Sequence, residues 1–377
     1  MTLSLHNNTA ALATRRHIAD ASDDYNSSIL KLSSGKKINS AKDDAAGLQI
    51  ANRLHVQSRG IDVAAKNVND GVAIVQTAEG SMREISSILK DMRDHSLQAA
   101  NGSNSIADRQ AIQKNVQALK EELHSIASSA NFAGMRLLDG SYGKKALQVG
   151  SNSETILLEL KDMRSSSSSM GGTIFIAEEA KDESWTVEDD ANELGMDFTD
   201  RAGNDVSINI EAKIGDDIEE LATYINGQQE FVTASVSGTG ELQMFVGSDV
   251  AEGKVCFSGS LAREFNFDNG RKAIVENIDV TSIGGAQEAV SIIDSALNYV
   301  DGHQADVGAL QNRFDRMLSN LTNMYENISA SKGNRTDTDY AKETTEMTRA
   351  KILQQSSSSM LAQARLIPNA ALNLLNE

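Results

Sequence analysis

Ala286–Ile328 reads AQEAVSIIDSALNYVDGHQADVGALQNRFDRMLSNLTNMYENI. Ala286, Ala289, Ile293, Ala296, Val300, His303, Val307, Leu310, Phe314, Met317, Leu321, Met324 and Ile328 are separated by steps that alternate three and four, and only His303 is not apolar. That is the seam of a coiled coil sustained for six heptads. A helix of this length would run about 65 Å, longer than a globular helix needs. One such helix cannot bury its own stripe, so the rest of the chain has to supply long partners.

It does. Val68, Val72, Val75, Ala78, Met82, Ile85, Leu89 and Met92 form a second stripe, interrupted by Gly60, Gly71 and Gly80, and Ile112, Val116, Leu119, Leu123, Ile126 and Ala130 form a third. Helical glycines cost up to about 1 kcal/mol against alanine and permit close approach of another helix, which would explain their tolerance here. Leu89, Val116, Leu119, Leu310, Phe314 and Leu321 are expected to share the seams of one bundle. Asn101-Gly-Ser-Asn104 ends one helix, and Ser105-x-x-Asp108 opens the next as a capping box. The expected fold class is mainly α with an α+β insert. A long antiparallel bundle forms from the N- and C-terminal segments, with a β-hairpin region beside it and a small α+β outer domain.

Composition supports long helices. Among 377 residues there is one proline, Pro368, which is expected to close the last helix. The one cysteine, Cys256, excludes an intrachain disulfide and reads as a small buried apolar side chain. No apolar run is long enough to cross a bilayer, so membrane insertion is not expected. Met1-Thr-Leu-Ser-Leu-His6 has no basic stretch followed by an apolar core, so no ordinary secretory signal is read, which alone points to the cytoplasm.

The net charge of −18 is concentrated. Residues 171–280 hold 24 Asp+Glu against 7 Lys+Arg, with seven of the nine Phe and the only Trp, Trp185, while the rest is within one charge of neutral. Near-neutral helical ends can pack against copies of themselves, and an acidic knob stays solvated. With that charge, nucleic-acid binding is not expected.

The chain then divides into three. Residues 1–43 plus 336–377 form terminal helices, 44–168 plus 284–335 the bundle with its hairpin, and 169–283 the acidic α+β domain. Within the first part, residues 3–32 read as helix, and Ser40 is expected to cap the next one. Ala146–Val149 and Thr155–Leu160 read as a hairpin, and Ser165–Ser169 with Gly171-Gly172 as a flexible linker. The insert is expected to hold strands at 173–177, 184–187, 196–199, 205–210, 232–236 and 242–246, with a helix at 217–226. Ser329–Thr336 reads as a hinge that Gly333-Asn334 loosens, and Leu353, Met360, Ala364 and Ile367 continue the seam of the last helix.

Chemistry-bearing constellations are lacking. The six histidines are dispersed with no His-Glu-x-x-His, so neither a zinc-protease site nor any other metal or cofactor is expected. Asp189-Asp190 and Asp216-Asp217 lack the spacing of a calcium loop. His303 reads as a packed polar residue that sets seam register. No catalytic group is assigned.

The segment Lys31-Leu-Ser-Ser-Gly-Lys-Lys-Ile-Asn-Ser-Ala-Lys-Asp-Asp-Ala-Ala-Gly-Leu-Gln-Ile-Ala-Asn-Arg53, with Asn67-Val-Asn-Asp-Gly71 and Gln76-Thr-Ala-Glu-Gly80, resembles the N-terminal signature of bacterial flagellin. Leu310-Gln-Asn-Arg-Phe314 and Ile352-Leu-Gln-Gln355 through Leu361-Ala-Gln363 resemble its C-terminal signature. Leu221–Asn226 with Val232-Thr-Ala234 is similar to a repeat of flagellin insert domains. The resemblance implies a self-assembling filament subunit for swimming motility, exported by the flagellar type III system, secreted and extracellular. It implies that Leu32, Ser33, Gly35, Asn39, Asp43, Arg53, Leu353, Met360, Ala364 and Ile367 pack between subunits. It also implies other flagellins, a secretion chaperone at the C-terminal helix, and cap and hook-associated proteins as partners. The patch read by the animal flagellin receptor in many relatives maps to Asp91, Arg93, His95, Gln98 and Asn115; the first, third and fifth depart from the family's arginine, leucine and glutamate, so weak recognition is expected. Two other readings stay open: a hook–filament junction protein of the same superfamily, and a secreted effector or adhesin on a coiled-coil stalk.

Overall fold

A computed structural model describes residues 8–375, apart from 151–153, 183, 190–191, 200–203, 230, 249 and 252–253; the side chains of 367–375 lie outside the description. In chain order the elements are α1 Thr9–Ser34, α2 Ala45–Ala100, α3 Ile106–Ser129, β1 Asn131–Phe132, β2 Met135–Arg136, β3 Gly143–Gln148, β4 Thr155–Leu160, β5 Gly171–Ile176, β6 Glu193–Thr199, β7 Asp205–Glu211, α4 Ile218–Gln228, β8 Val232–Val236, β9 Leu242–Gly247, β10 Cys256–Ser258, α5 Ser260–Phe265, β11 Arg271–Ile274, a 3-10 turn Val275–Asn277, α6 Ile283–Thr336 and α7 Tyr340–Leu375. They fall into two compact units, one of Met1–Lys66, Gly150–Asn152 and Ser319–Glu377, the other of Asn67–Val149 and Ser153–Leu318. Both α2 and α6 contribute residues to each.

In the second unit, α2 and α6 run antiparallel. Arg93 pairs with Asp294 (2.6 and 3.2 Å), Ser86 donates to Asp301 (3.3 Å), and Gln311 donates to Glu79 (2.5 Å). As one number rises the other falls, which fixes the sense of the pair. Leu89, Val116, Phe314 and the first five seam residues from Ala286 to Val300 are fully buried in this unit. The Ser105–Asp108 capping box is formed as read from the sequence. The Arg109 guanidinium reaches back to the carbonyls of Ala99 and Asn101, closing the α2–α3 turn. His303 sits half-buried on the seam, 3.5 Å from the Asp306 carboxylate and edge-on to Tyr299.

The strands β3 and β4 pair as the expected hairpin, with Gly143 opposite Leu160 and Gln148 opposite Thr155. The insert holds two antiparallel sheets, ordered β11-β5-β9-β8 and β10-β6-β7. Alternating apolar residues of both, including Phe175, Leu194, Met196, Leu242 and Met244, bury against Leu221 and Ile225 of α4 and Leu261 and Phe265 of α5. Asp217 caps α4 through a capping box with Glu220.

Several expectations are corrected. Ser165–Gly172 is not a flexible linker. Ser165 meets His124, and its carbonyl accepts from Glu276 N–H; Met170 O accepts from Val275 N–H; Ser248 Oγ bonds Ser169 O and Ser295 Oγ bonds Gly171 O. The glycines serve close sheet packing: a Cβ on Gly172 would lie 2.2 Å from Val246 O, and Gly171 has φ +148°. Gln113 and Lys120, one heptad apart on α3, bond the backbone of 276–280, so both strands entering and leaving the insert are tied to helices of the same unit. These bonds lie within the compact unit of Asn67–Val149 and Ser153–Leu318.

Residues 184–187 form no strand; Trp185 instead turns its indole N–H to Glu264 (2.7 Å). The sequence reading missed β10, α5 and β11, which are short and lack alternation. Cys256 is exposed on β10, an edge strand, not buried. Helix α1 runs from Thr9 to Ser34, and the part of the expected helix before residue 8 lies outside the described residues. The cap of α2 is Asp44, whose carboxylate takes Gly47 N–H (2.8 Å), not Ser40, which lies in the preceding turn. Helix α6 continues through Gly333-Asn334 to Thr336, and the break falls at Asp337–Asp339. The glycine's cost of about 1 kcal/mol is small for a helix already laid along α2, where Lys332 meets His55. Helix α7 does not stop at Pro368 and reaches Leu375.

Candidate self-association surface

In the first unit, α1 and α7 pack antiparallel. Asn8 contacts Ala364, Lys31 contacts Glu343 and Tyr340 contacts Leu32, each pair summing to nearly the same number. The buried residues of α1 are Thr14, Ala21 and Ser28; those of α7 include Glu343, Ala350, Ser357 and Ala364. Both sets step by seven, and except for Glu343 they are small. Small residues every heptad let two backbones approach closely without large knobs between them.

The large apolar side chains point the other way. Leu12, Ile29 and Leu30 of α1, and Ile352, Leu353, Met360 and Leu366 of α7, are exposed. In the same unit Ile50, Val56 and Val63 of α2 and Met324 and Tyr325 of α6 are exposed as well. The pair is thus inside-out relative to a globular helix hairpin. Its small residues face each other and its large ones face outward, the pattern expected of an element completed by neighbours. A shallow groove of about 470 Å³ on α7, lined by Thr344, Thr345, Thr348, Arg349, Ile352 and Leu353, lies on this surface.

The joint between terminal helices and bundle helices is built from residues some 300 positions apart. Gly35, at φ +70°, ends α1 in the left-handed conformation that glycine adopts without strain. Lys37 N–H then donates to Thr336 O (2.8 Å), and Thr338 N–H donates to Gly35 O (3.0 Å). The two hinges clasp each other as one short antiparallel bridge. Asn39 and Ser40 wrap the Asp43 carboxylate, which accepts both their backbone N–H groups and the Ser40 hydroxyl. These bonds hold the Asp43 carboxyl below the usual aspartate range, with the Asn39 backbone bond the largest cause.

The residues assigned to subunit packing therefore separate. Leu353 and Met360 are exposed on α7 and Arg53 on α2. Leu32 is half-buried and Ser33 exposed, while Gly35, Asn39 and Asp43 build the hinge. Ala364 is buried between α1 and α7, and the Ile367 side chain lies outside the described residues. Among the bundle-seam positions, Leu119 and Leu310 are only half-buried and line grooves. Sequence reading missed Leu12, Ile29, Ile50, Val56 and Val63. Their spacing gives no continuous stripe, so only exposure in the folded unit reveals them.

Asp91, Asp94, His95, Asn115, Ala118 and Leu119 line one groove of about 430 Å³ between α2 and α3. Gln98 is exposed beyond it, and Arg93 is turned to Asp294 of α6, which raises its pKa through that bond. Among the described residues no helix is long and apolar enough to cross a membrane, and no three His, Cys, Asp or Glu converge as a metal-binding group.

Family profiles agree with both ends and the middle of the chain. The bacterial flagellin N-terminal helical region matches residues 5–143, the bacterial flagellin C-terminal helical region residues 290–375, and the flagellin hook IN motif residues 197–248. Polar flagellin B/D of Vibrio parahaemolyticus is 54% identical over 377 residues, and Flagellin D of Vibrio cholerae is 54% identical over 376, with 100% of both chains covered in each case. Among solved structures, FliC from Burkholderia pseudomallei aligns with 64% of this chain and 99% of its own at 24% identity and a TM-score of 0.40.

Proposed function

The chain belongs to the bacterial flagellin family and is a structural subunit of the flagellar filament; on that premise we propose that the outward face of the α1–α7 pair is the surface by which subunits pack. The observation that carries this is the inversion of the pair, with small residues inside and Leu12, Ile29, Leu30, Ile352, Leu353, Met360 and Leu366 outside. Burying one such side chain is worth about 1.5–3 kcal/mol, so several per subunit outweigh the entropy of joining a polymer. Residues 1–43 plus 336–377 then make the inner tube, 44–168 plus 284–335 the next shell, and the acidic 169–283 domain faces solvent. Leu353, Met360 and Arg53 contact neighbours directly; Leu32, Ser33, Gly35, Asn39 and Asp43 set the angle of the pair, and Ala364 and Ile367 belong to its far end.

The same exposed stripe of α7 offers a secretion chaperone an apolar helix face before assembly. Export through the flagellar type III system delivers the chain outside the cell, where other flagellins, the cap and hook-associated proteins are its further neighbours. Recognition by the animal flagellin receptor is weak, because Asp91 and Asp94 dominate the groove and Arg93 is occupied by Asp294.

Seeded polymerisation tests the packing role. Monomer added to filament fragments elongates them in electron micrographs, whereas a chain lacking residues 336–377 does not. Elongation by the truncated chain would remove α7 from the packing surface.

A further inference from the structure

Pro368 is the only proline of the chain, and α7 runs through it. In an α-helix the N–H of residue 368 would satisfy the carbonyl of residue 364. Proline has no N–H, so Ala364 O is left without its helical donor in mid-helix. Asn8 supplies one: its Nδ2 donates to Ala364 O at 2.8 Å. Its Oδ1 meanwhile accepts from Ala11 N–H at 2.9 Å and caps α1. One side chain thus closes the first turn of one helix and the proline-made gap of the other, 356 residues away in sequence.

We propose that Asn8 is the positioning residue that locks the far end of the α1–α7 pair in register. Away from the Lys31–Glu343 pair near the hinge, the buried positions Thr14 and Ala21 of α1 and Ala350, Ser357 and Ala364 of α7 are all small and recur every seven residues, so their packing alone discriminates registers weakly. The hinge clasp at Lys37 and Thr336 fixes only the near end. At the far end the seam offers one acceptor that no other register reproduces, since every other interior carbonyl of α7 has a residue with an N–H four positions on. An asparagine is required because the lock needs an acceptor and a donor on one short side chain. Aspartate would cap α1 equally well and leave Ala364 O unmet, and serine would have to serve both partners from a single, shorter-reaching oxygen, where asparagine uses two separate atoms. The consequence for assembly rests on the packing role proposed above, since a displaced far end would present Leu12, Met360 and Leu366 out of line with a neighbour.

The test uses Asn8→Asp, which keeps the cap and loses the donor, Pro368→Ala, which restores the N–H to α7, and the double variant, all in the full chain. Register is read without polymerisation by disulfide trapping between Thr14→Cys and Ser357→Cys in a Cys256→Ser background. Assembly is read by elongation rate on filament seeds. Asn8→Asp is expected to lower both trapping and elongation about fivefold in the parent and by less than about twofold in the Pro368→Ala background, where the carbonyl is already satisfied. If Pro368→Ala slows elongation by itself, trapping makes the comparison. Equal values for Asn8→Asp and the parent, or the same loss in both backgrounds, overturn the lock. A parent that fails to elongate seeds, while trapping still depends on Asn8, overturns the packing role and leaves the lock standing.

Discussion

Phe314 of α6 packs over Gly71 of α2 so closely that a Cβ there would lie 3.1 Å from Phe314 Cζ and 3.3 Å from Leu147 Cδ1. Gly80, nine residues further along the same helix, has nothing within 4 Å of an added Cβ. Two glycines that look alike in sequence are therefore opposite in kind. Alanine gains up to about 1 kcal/mol of helix propensity at either site, but overpacking costs about 1–3 kcal/mol at Gly71 alone. Gly71→Ala is expected to lower the thermal midpoint and Gly80→Ala to raise it, followed by far-ultraviolet circular dichroism of the monomer. A rise for both would show that the Phe314 contact relaxes freely.

Gly172 gives a harsher version of the same test. Its Cβ would meet Val246 O at 2.2 Å and Phe245 Cζ at 2.7 Å, with backbone on the blocking side. Gly172→Ala is expected to cost about 2–3 kcal/mol. Trp185, held by Glu264 within the insert, reports the loss as a lower denaturant midpoint of fluorescence.

Acid should loosen the hinge. Asp43 accepts from Asn39, Ser40 and the Ser40 hydroxyl, and its folded pKa lies below the usual value. A depressed carboxylate contributes stability in full above its unfolded pKa of about 3.9, and loses it as pH falls through the folded value. The difference in thermal midpoint between the parent and Asp43→Asn is therefore expected to be constant from neutral pH to about 5 and to shrink below about 3.9. A difference independent of pH down to 2 would mean that the turn does not need the carboxylate.

Leu353 and Met360 are 52% and 60% exposed in the subunit. Leu353→Ser and Met360→Ser are expected to leave monomer stability within about 0.5 kcal/mol. Each should slow seeded elongation by about tenfold or more, because the burial is gained only on joining a neighbour. Unchanged elongation in both variants would direct the search for contacts to Ile50, Val56 and Val63 on α2.

The weak receptor recognition proposed above predicts a gain of function. Asp91→Arg with His95→Leu removes one of the acids in the groove beside Asp94 and restores the family's pattern at two positions. The half-maximal concentration in a receptor-reporter titration is expected to fall by about tenfold. No change would mean that Asn115 or the engagement of Arg93 by Asp294 limits recognition.

The seam from Ala286 to Val300 with Val307, Phe314 and Leu321, the stripes of α2 and α3, the Ser105 cap and the β3–β4 hairpin were legible in the chain, because period and capping chemistry are local properties of neighbouring residues; Met324, on the same seam, is exposed. The break at Asp337 was not, since Gly333-Asn334 looks weaker in isolation than it is when α6 lies along α2. Nor was the rigidity of Ser165–Gly172: serines and glycines signal mobility until Ser295, Ser248 and Glu276 arrive from elsewhere to bond them. For the self-association surface, sequence alone determined that unsatisfied apolar faces exist at both ends. Only tertiary structure decided which side of each terminal helix is spent inside the pair, because seven-residue steps of Thr14, Ala21 and Ser28 acquire meaning only opposite Ala350, Ser357 and Ala364. The bond from Asn8 to Ala364 is the extreme case: the chain states that position 368 has no N–H, and folding alone brings the donor that replaces it.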